Sequence, residues 1–351
     1  MFQKLSIGLL AVCMTGLAQA PHEGDFKIAN YRFADGEQLP SLNIHYTTLG
    51  QPHRDANGHV ANAVLIMHGT GGSGKQFLQP QFRDVLFGTG QLLDTAKYFI
   101  ILPDDIGHGG SSKPSDGMHA HFPHYRYADM VDAEHRLVTQ GLGVDHLRLV
   151  MGTSMGCMHS WMWGERYPNE EDALMPLACL PVPIAGRNRI WRKMVSDAIR
   201  SDPEWQGGDY KQQPRSLTTA IDLLIIAGSA PLQMQKTAAT PALADKYVAE
   251  QVTHRRETTD ANDLLYAVES SSDYDPSADL EKITVPVMFI NSADDFINPP
   301  ELGIAEREIK RVPRGKFVLI PVSDETHGHS THTYAKVWQQ YLDELLKESA
   351  P

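Results

Sequence analysis

The chain has 351 residues, 42% of them hydrophobic, enough for one large α/β domain or two small ones around a sizeable core. Its formal net charge is −12 and no basic stripe interrupts it, which argues against a nucleic acid or an acidic membrane as its partner. Cysteine is scarce, at three residues, and no C-x-x-C or zinc-type spacing occurs.

Residues 1–20 read as a signal peptide. Lys4 supplies a minimal positive region, Leu5 to Leu17 an apolar core, and Ala18-Gln19-Ala20 the small residues of a cleavage site. Pro21 is a poor residue to follow such a site, so cleavage after Ala18 is the rival. The apolar run is too short to span a membrane comfortably, and Val12 does not suit a lipidated Cys13. The expectation is an exported protein, periplasmic or secreted, with no stable membrane insertion. Of the cysteines, Cys157 and Cys179 would remain after cleavage. An oxidising compartment permits them to pair, but the reading favours two buried thiols, one on a helix and one on the next strand.

Strand-like runs then alternate with helical ones, the pattern of a mostly parallel sheet with flanking helices. Asp25 to Phe33 and Leu42 to Leu49 read as an opening antiparallel pair. Ala63 to Met67 is a buried strand, followed by the glycine-rich stretch His68 to Gly74. Tyr98 to Leu102 is the next, followed by Pro103-Asp104-Asp105-Ile106-Gly107-His108-Gly109. Tyr127 to Leu142 reads as an amphipathic helix ending at Gly143. Short strands follow at Leu147 to Met151, Leu174 to Cys179, Pro286 to Ile290 and Phe317 to Ile320. From Pro181 to about Asp279 strands vanish and helical segments dominate: Ile190 to Arg200, Leu217 to Ala227, Pro241 to Arg256 and Ala261 to Glu269. The expected organisation is an α/β core over 21–180 and 280–351, with a helical cap over 181–279.

The chemistry centres on Gly152-Thr153-Ser154-Met155-Gly156, a G-x-S-x-G pattern between a strand and a helix-compatible segment closed by Pro168. That context makes the motif a nucleophile elbow: a strained turn that exposes a serine near the positive end of the next helix. A serine nucleophile needs a base and an acid to orient it, in the order Ser, Asp, His on this architecture. The loop after Ile290 offers Asp294 and Asp295; Asp295 is favoured and Asp294 reads as a solvated carboxylate. The loop after Ile320 offers His327, His329 and His332; His329 is favoured because it follows the glycine that lets the loop turn. A metal site built from those three histidines is the minor alternative. Two backbone N–H groups must face the developing oxyanion, and Met155 and Thr70 are the candidates. A phosphate-loop reading of Gly69 to Lys75 fails on spacing. His119, His121 and His124 read as exposed loop histidines, and Trp161, Trp163, Met158 and Met162 as core.

Nearly all the mature chain resembles the α/β-hydrolase fold superfamily, and within it the homoserine O-acetyltransferase-like group. The likeness runs through Leu39-Pro40 to Gly50, Asn62 to Ile66 with His68, Phe122-Pro123, Asp129-Met130-Val131 with Ala133 and Leu137, the elbow, Asp295 to Pro300, and Gly328-His329. It implies Ser154, Asp295 and His329 as nucleophile, acid and base. Two departures bear on activity. In that group an aspartate associated with the homoserine amine follows the catalytic histidine; here Ser330 stands there. The group's H-A-L-T-G segment is replaced by His68-Gly69-Thr70-Gly71-Gly72, a type common in hydrolases, as is the G-H-G-x-S within Asp104 to Ser112.

Export would also separate the protein from cytosolic acetyl-CoA. The expectation is therefore an exported serine hydrolase that cleaves a small-molecule carboxylic ester through an acyl-enzyme, with no cofactor and no metal. The alternative is an O-acyltransferase of the homoserine type using the same triad. A non-catalytic binding protein and a C–C hydrolase or cofactor-free peroxidase stay open, as do the substrate and the oligomeric state.

Overall fold

The computed structural model describes residues 20–350. The signal-peptide reading, with Cys13, therefore falls outside the described residues except for Ala20. Eight strands form one sheet in the order β1-β2-β4-β3-β5-β6-β7-β8. They are β1 His22–Arg32, β2 Gln38–Leu49, β3 Ala63–Met67, β4 Phe99–Pro103, β5 Leu149–Thr153, β6 Leu174–Leu177, β7 Val287–Ser292 and β8 Gly315–Ile320. The first two are an antiparallel hairpin, and β2 pairs antiparallel with β4. From β4 to β8 every pairing is parallel.

Every residue of β3, β4, β5, β6 and β7 is buried. Such strands read as continuous apolar runs because both faces are covered. Alternate side chains serve the two faces. Leu65 and Met67 pack with Trp161 and Met130 on one side; Val64 and Ile66 pack with Phe82 and Leu342 on the other. The first layer is built by α2 Tyr127–Arg136 and α3 Met155–Arg166, the second by α1 Pro80–Leu86 and α10 Gln339–Glu348. The expected long helix from Tyr127 is α-helical only to Arg136, then continues as one π turn over Leu137–Gly141. The break coincides with Thr139, whose hydroxyl donates back to the His135 carbonyl at 2.7 Å.

Between β6 and β7 the chain is helical: α4 Gly186–Ser201, α5 Ser216–Ala227, α6 Pro231–Thr237, α7 Pro241–Thr258 and α8 Ala261–Glu269. This segment has an apolar core of its own, with Val195 and Ile199 of α4, Leu217 and Ile221 of α5, and Leu265 and Val268 of α8. The short helix α9 Ile304–Glu308 follows β7.

One expectation is overturned. Cys157 and Cys179 are not free thiols; they form a disulfide. Cys157 lies in the first turn of α3 and Cys179 just past the end of β6. β5 and β6 are neighbours in parallel register, so the helix leaving one starts beside the chain leaving the other, and the two Cα atoms stand 5.9 Å apart. Sequence separation conveys nothing of that neighbourhood.

Candidate active site

Ser154 sits between β5 and α3 with φ 55° and ψ −106°, outside the regions a serine ordinarily adopts. The elbow is sharp enough to need glycine at both flanks. A Cβ on Gly152 would meet the Gly156 carbonyl oxygen at 2.0 Å, and one on Gly156 the Met67 carbonyl oxygen at 2.1 Å. Those neighbours are backbone and cannot swing aside.

The Ser154 hydroxyl lies 2.7 Å from His329 Nε2, and His329 Nδ1 lies 2.9 Å from Asp295 Oδ2. Asp295 is buried, and all its acceptor capacity is engaged. Oδ1 accepts from the Ile297 N–H at 2.7 Å and the Asn298 N–H at 3.2 Å; Oδ2 also accepts from Asn298 Nδ2 at 3.0 Å. Burial alone would raise its pKa, but the His329 ring and these donors outweigh burial and hold the carboxyl below its ordinary value. It stays ionised and fixes the His329 ring with its Nδ1 proton toward the acid and its Nε2 toward the serine.

The rival groups have other positions. His327 stacks on Tyr334, with ring centroids 3.7 Å apart. His332 is half-buried and edge-on to His329 at 5.3 Å, and desolvation, aided by the neighbouring His329, pushes its pKa down to about 3. Asp294 is not the solvated carboxylate that sequence suggested. It accepts from the Ser292 hydroxyl, from Thr326 Oγ1 at 2.9 Å and from the Gly328 N–H at 3.0 Å, so it anchors the loop that carries His329. The adjacency of two aspartates hides this division of roles, because only the loop's return path shows which donors each one meets.

The glycine-rich loop after β3 lies against Ser154: a Cβ on Gly69 would fall 3.2 Å from Ser154 Cβ. His68 is buried beneath it. Its Nε2 accepts from the Asp105 N–H at 3.1 Å, leaving Nδ1 to donate to the Gly69 carbonyl at 2.8 Å. Gln76 Nε2 donates to Thr153 Oγ1 at 2.9 Å and ties the loop to the elbow. Met155 begins α3, so its N–H has no acceptor within the helix. Thr70 lines the same cleft as Ser154 and His329. The Asp104 to Ser112 loop leaves β4 and ties back to β2 and to the glycine-rich loop. Asp104 accepts from the Gly74 N–H at 2.7 Å and the Gly110 N–H at 2.8 Å, and Ser111 Oγ accepts from the His45 N–H at 2.8 Å.

The cleft has a volume of about 1010 Å³ and lies between the loops at the ends of the parallel strands and the helical segment, which contributes Trp191, Arg192, Leu224 and Leu264. An adjoining apolar cavity of about 520 Å³ shares Met158, Ile297 and Asn298 with it. Met158, expected as core, is buried but lines both. Trp161, Trp163 and Met162 are core as expected. Among the described residues, His119, His121 and His124 do not meet as a donor group; His124 stacks on Tyr266 at 4.9 Å.

Sequence reasoning missed one polar cluster. Asp105, Glu134 and His159 are fully buried, with donor atoms within 4.8 Å of one another. Such a set could hold a metal ion, but it is sealed under the first layer and does not line the cleft. Burial pushes the Glu134 carboxyl up to about 7 and, with the Glu134 charge, pushes Asp105 well above its ordinary value. Its residues lie far apart in the chain, at no recognisable spacing.

Comparison with known proteins agrees with this fold. The family described as alpha/beta hydrolase fold matches residues 62–324. The chain is 27% identical over 317 residues to a probable acyltransferase of Methanothermobacter thermautotrophicus, covering 87% of this chain and 91% of that one. It is 29% identical over 357 residues to the homoserine O-acetyltransferase of Pelobacter propionicus, covering 89% and 93%. An acetylester hydrolase from Corynebacterium glutamicum shares the fold, with a TM-score of 0.80, 22% identity and coverage of 93% and 96%. The chain belongs to the alpha/beta hydrolase fold family.

Proposed function

We propose that this protein is a serine acyl-transfer enzyme in which Ser154 is the nucleophile, His329 the general base and Asp295 the group that orients and charge-stabilises the imidazole. The observation that carries this reading is the unbroken hydrogen-bond chain from Ser154 Oγ through His329 to Asp295. Ser154 Oγ attacks the carbonyl carbon of an acyl donor as its proton passes to His329 Nε2. The tetrahedral oxyanion receives hydrogen bonds from the Met155 and Thr70 N–H groups. The bond to the leaving group breaks as His329 returns the proton to it, leaving an ester on Ser154. An acceptor O–H then repeats the sequence in reverse.

The acceptor decides the name of the reaction. The curated relatives are acyltransferases, several of homoserine, and they favour an alcohol acceptor of that kind. Water is the second reading, and two observations favour it. Ser330 follows His329, where the resemblance leads one to expect aspartate. The Cys157–Cys179 disulfide suits an oxidising compartment, as does the signal-like N-terminus, and acyl-CoA is not supplied there.

Mature protein and Ser154→Ala are compared on 4-nitrophenyl acetate, butyrate and octanoate, with and without homoserine and acetyl-CoA. Ser154-dependent nitrophenol release supports hydrolysis, and chain-length preference sizes the cleft. CoA release that requires homoserine supports the transferase. Turnover by Ser154→Ala equal to the parent's would sink both.

A further inference from the structure

The helical segment brings a guanidinium into the cleft that the reaction as drawn does not use. Arg192, on α4, is buried at 2% exposure and lines the same cleft as Ser154, Thr70 and His329. Its protein partners are neutral. Nε donates to Asn188 Oδ1 at 3.0 Å, and one terminal nitrogen reaches the Val268 carbonyl and Ser271 Oγ, each at 3.4 Å. The flat face lies over the Trp191 ring at 4.8 Å. Among the described residues no carboxylate stands within 4.0 Å of it.

The nearby acids are engaged elsewhere. Asp273 accepts from the Tyr127 and Ala128 N–H groups at the start of α2. Asp260 accepts from the Tyr210 hydroxyl and Gln213, and Asp263 accepts twice from Ser115. A further neighbour, the Tyr127 hydroxyl, is neutral as well, and the guanidinium lines the cleft. The Tyr127 hydroxyl lies between Arg192 and Thr70, so the guanidinium is one side chain away from the oxyanion loop.

A charge withdrawn from water and left without a counter-charge is costly, and the cost is recovered when an anion occupies the site. A guanidinium also presents a planar fork that matches a carboxylate, which an ammonium does not. We propose that Arg192 forms an anion-recognition subsite, and that the ester this enzyme acts on carries a carboxylate a few bonds from the scissile carbonyl. The proposal rests on the acyl-transfer reading above. The carboxylate belongs either to the acyl part or to the alcohol part; the chemistry of recognition is the same for both.

Two matched pairs separate these sources. Mono-4-nitrophenyl succinate against 4-nitrophenyl butyrate tests the acyl part. 3-Acetoxypropanoate against its methyl ester tests the alcohol part. Wild type is expected to prefer the charged member of one pair in kcat/KM by at least about tenfold, mostly through KM. In Arg192→Met that ratio should collapse toward one, and Arg192→Lys should retain only part of it. Equal turnover of both members of both pairs by wild type overturns the proposal without reference to any variant. So does an Arg192→Met enzyme that keeps the charged-over-neutral ratio. If wild type acts on none of the four esters, the acyl-transfer reading has failed, and calorimetric titration with succinate still tests the subsite: binding lost in Arg192→Met supports it, and no binding to wild type ends it.

Discussion

Asp294 and Asp295 are sequence neighbours that hold consecutive residues of one distant loop. Asp294 accepts the Gly328 N–H at 3.0 Å, and Asp295 accepts His329 Nδ1 at 2.9 Å. One carboxylate fixes where the histidine loop lies and the other fixes which way its ring points. Replacing them should therefore fail in different ways. Asp295→Asn keeps the shape but removes the charge and permits the wrong tautomer, so kcat should fall by on the order of 10⁴. Asp294→Asn should lower kcat by about tenfold, with KM and the pH profile little changed, because the triad is displaced rather than chemically altered. Steady-state kinetics on one ester decides between these patterns; equal losses would contradict the division.

The elbow glycines make a structural prediction. A methyl group at Gly152 or Gly156 meets backbone oxygen at 2.0 to 2.1 Å. Gly152→Ala and Gly156→Ala should each lose about 3 kcal/mol or more, the upper end of overpacking costs, or fail to fold. Ser154→Ala should unfold near the parent's midpoint. Denaturant titration of the three variants side by side is the check.

The disulfide closes a loop of sequence separation 22 between an elbow helix and the neighbouring strand. Cys157→Ser with Cys179→Ser should cost about 3 kcal/mol, seen as a lower Tm. Both cysteines are fully buried, so mild reductant should leave the folded parent unaffected and act only when it is partly unfolded. An unchanged Tm in the double variant would show that the bond adds nothing to stability.

Stability should also fall as pH rises. Glu171 is buried at 3% exposure with both carboxylate oxygens unpartnered. Burial, with the Glu170 and Asp172 charges, raises its pKa from 4.5 to about 9. A carboxyl whose folded pKa lies above its unfolded one binds more protons folded than unfolded between those values. The sign is then fixed: stability is highest below pH 4.5 for this group and declines as pH rises toward 9. Glu134, raised to about 7, adds to the decline over the lower part of that window. Glu171→Gln, which cannot ionise, should flatten the decline and raise Tm at pH 8. A Tm-against-pH profile parallel to the parent's would refute this.

That Ser154, Asp295 and His329 come together was legible in the sequence because local rules mark the segments that carry them. Fully buried strands must be apolar throughout, so β3 stands out in the sequence with the same limits the structure shows. The elbow is legible because its backbone tolerates only glycine at Gly152 and Gly156, and His329 because Gly328, at φ 59°, turns the loop before it. What tertiary structure alone decided are relations between segments. The pairing of β5 with β6 brought Cys157 to Cys179. The return of the β8 loop past β7 gave Asp294 an anchoring role. The folding of α4 and α8 against the core left Arg192 without a carboxylate, and buried Asp105, Glu134 and His159 together. Each is set by which strands and helices become neighbours in space, and no periodicity along one chain records that.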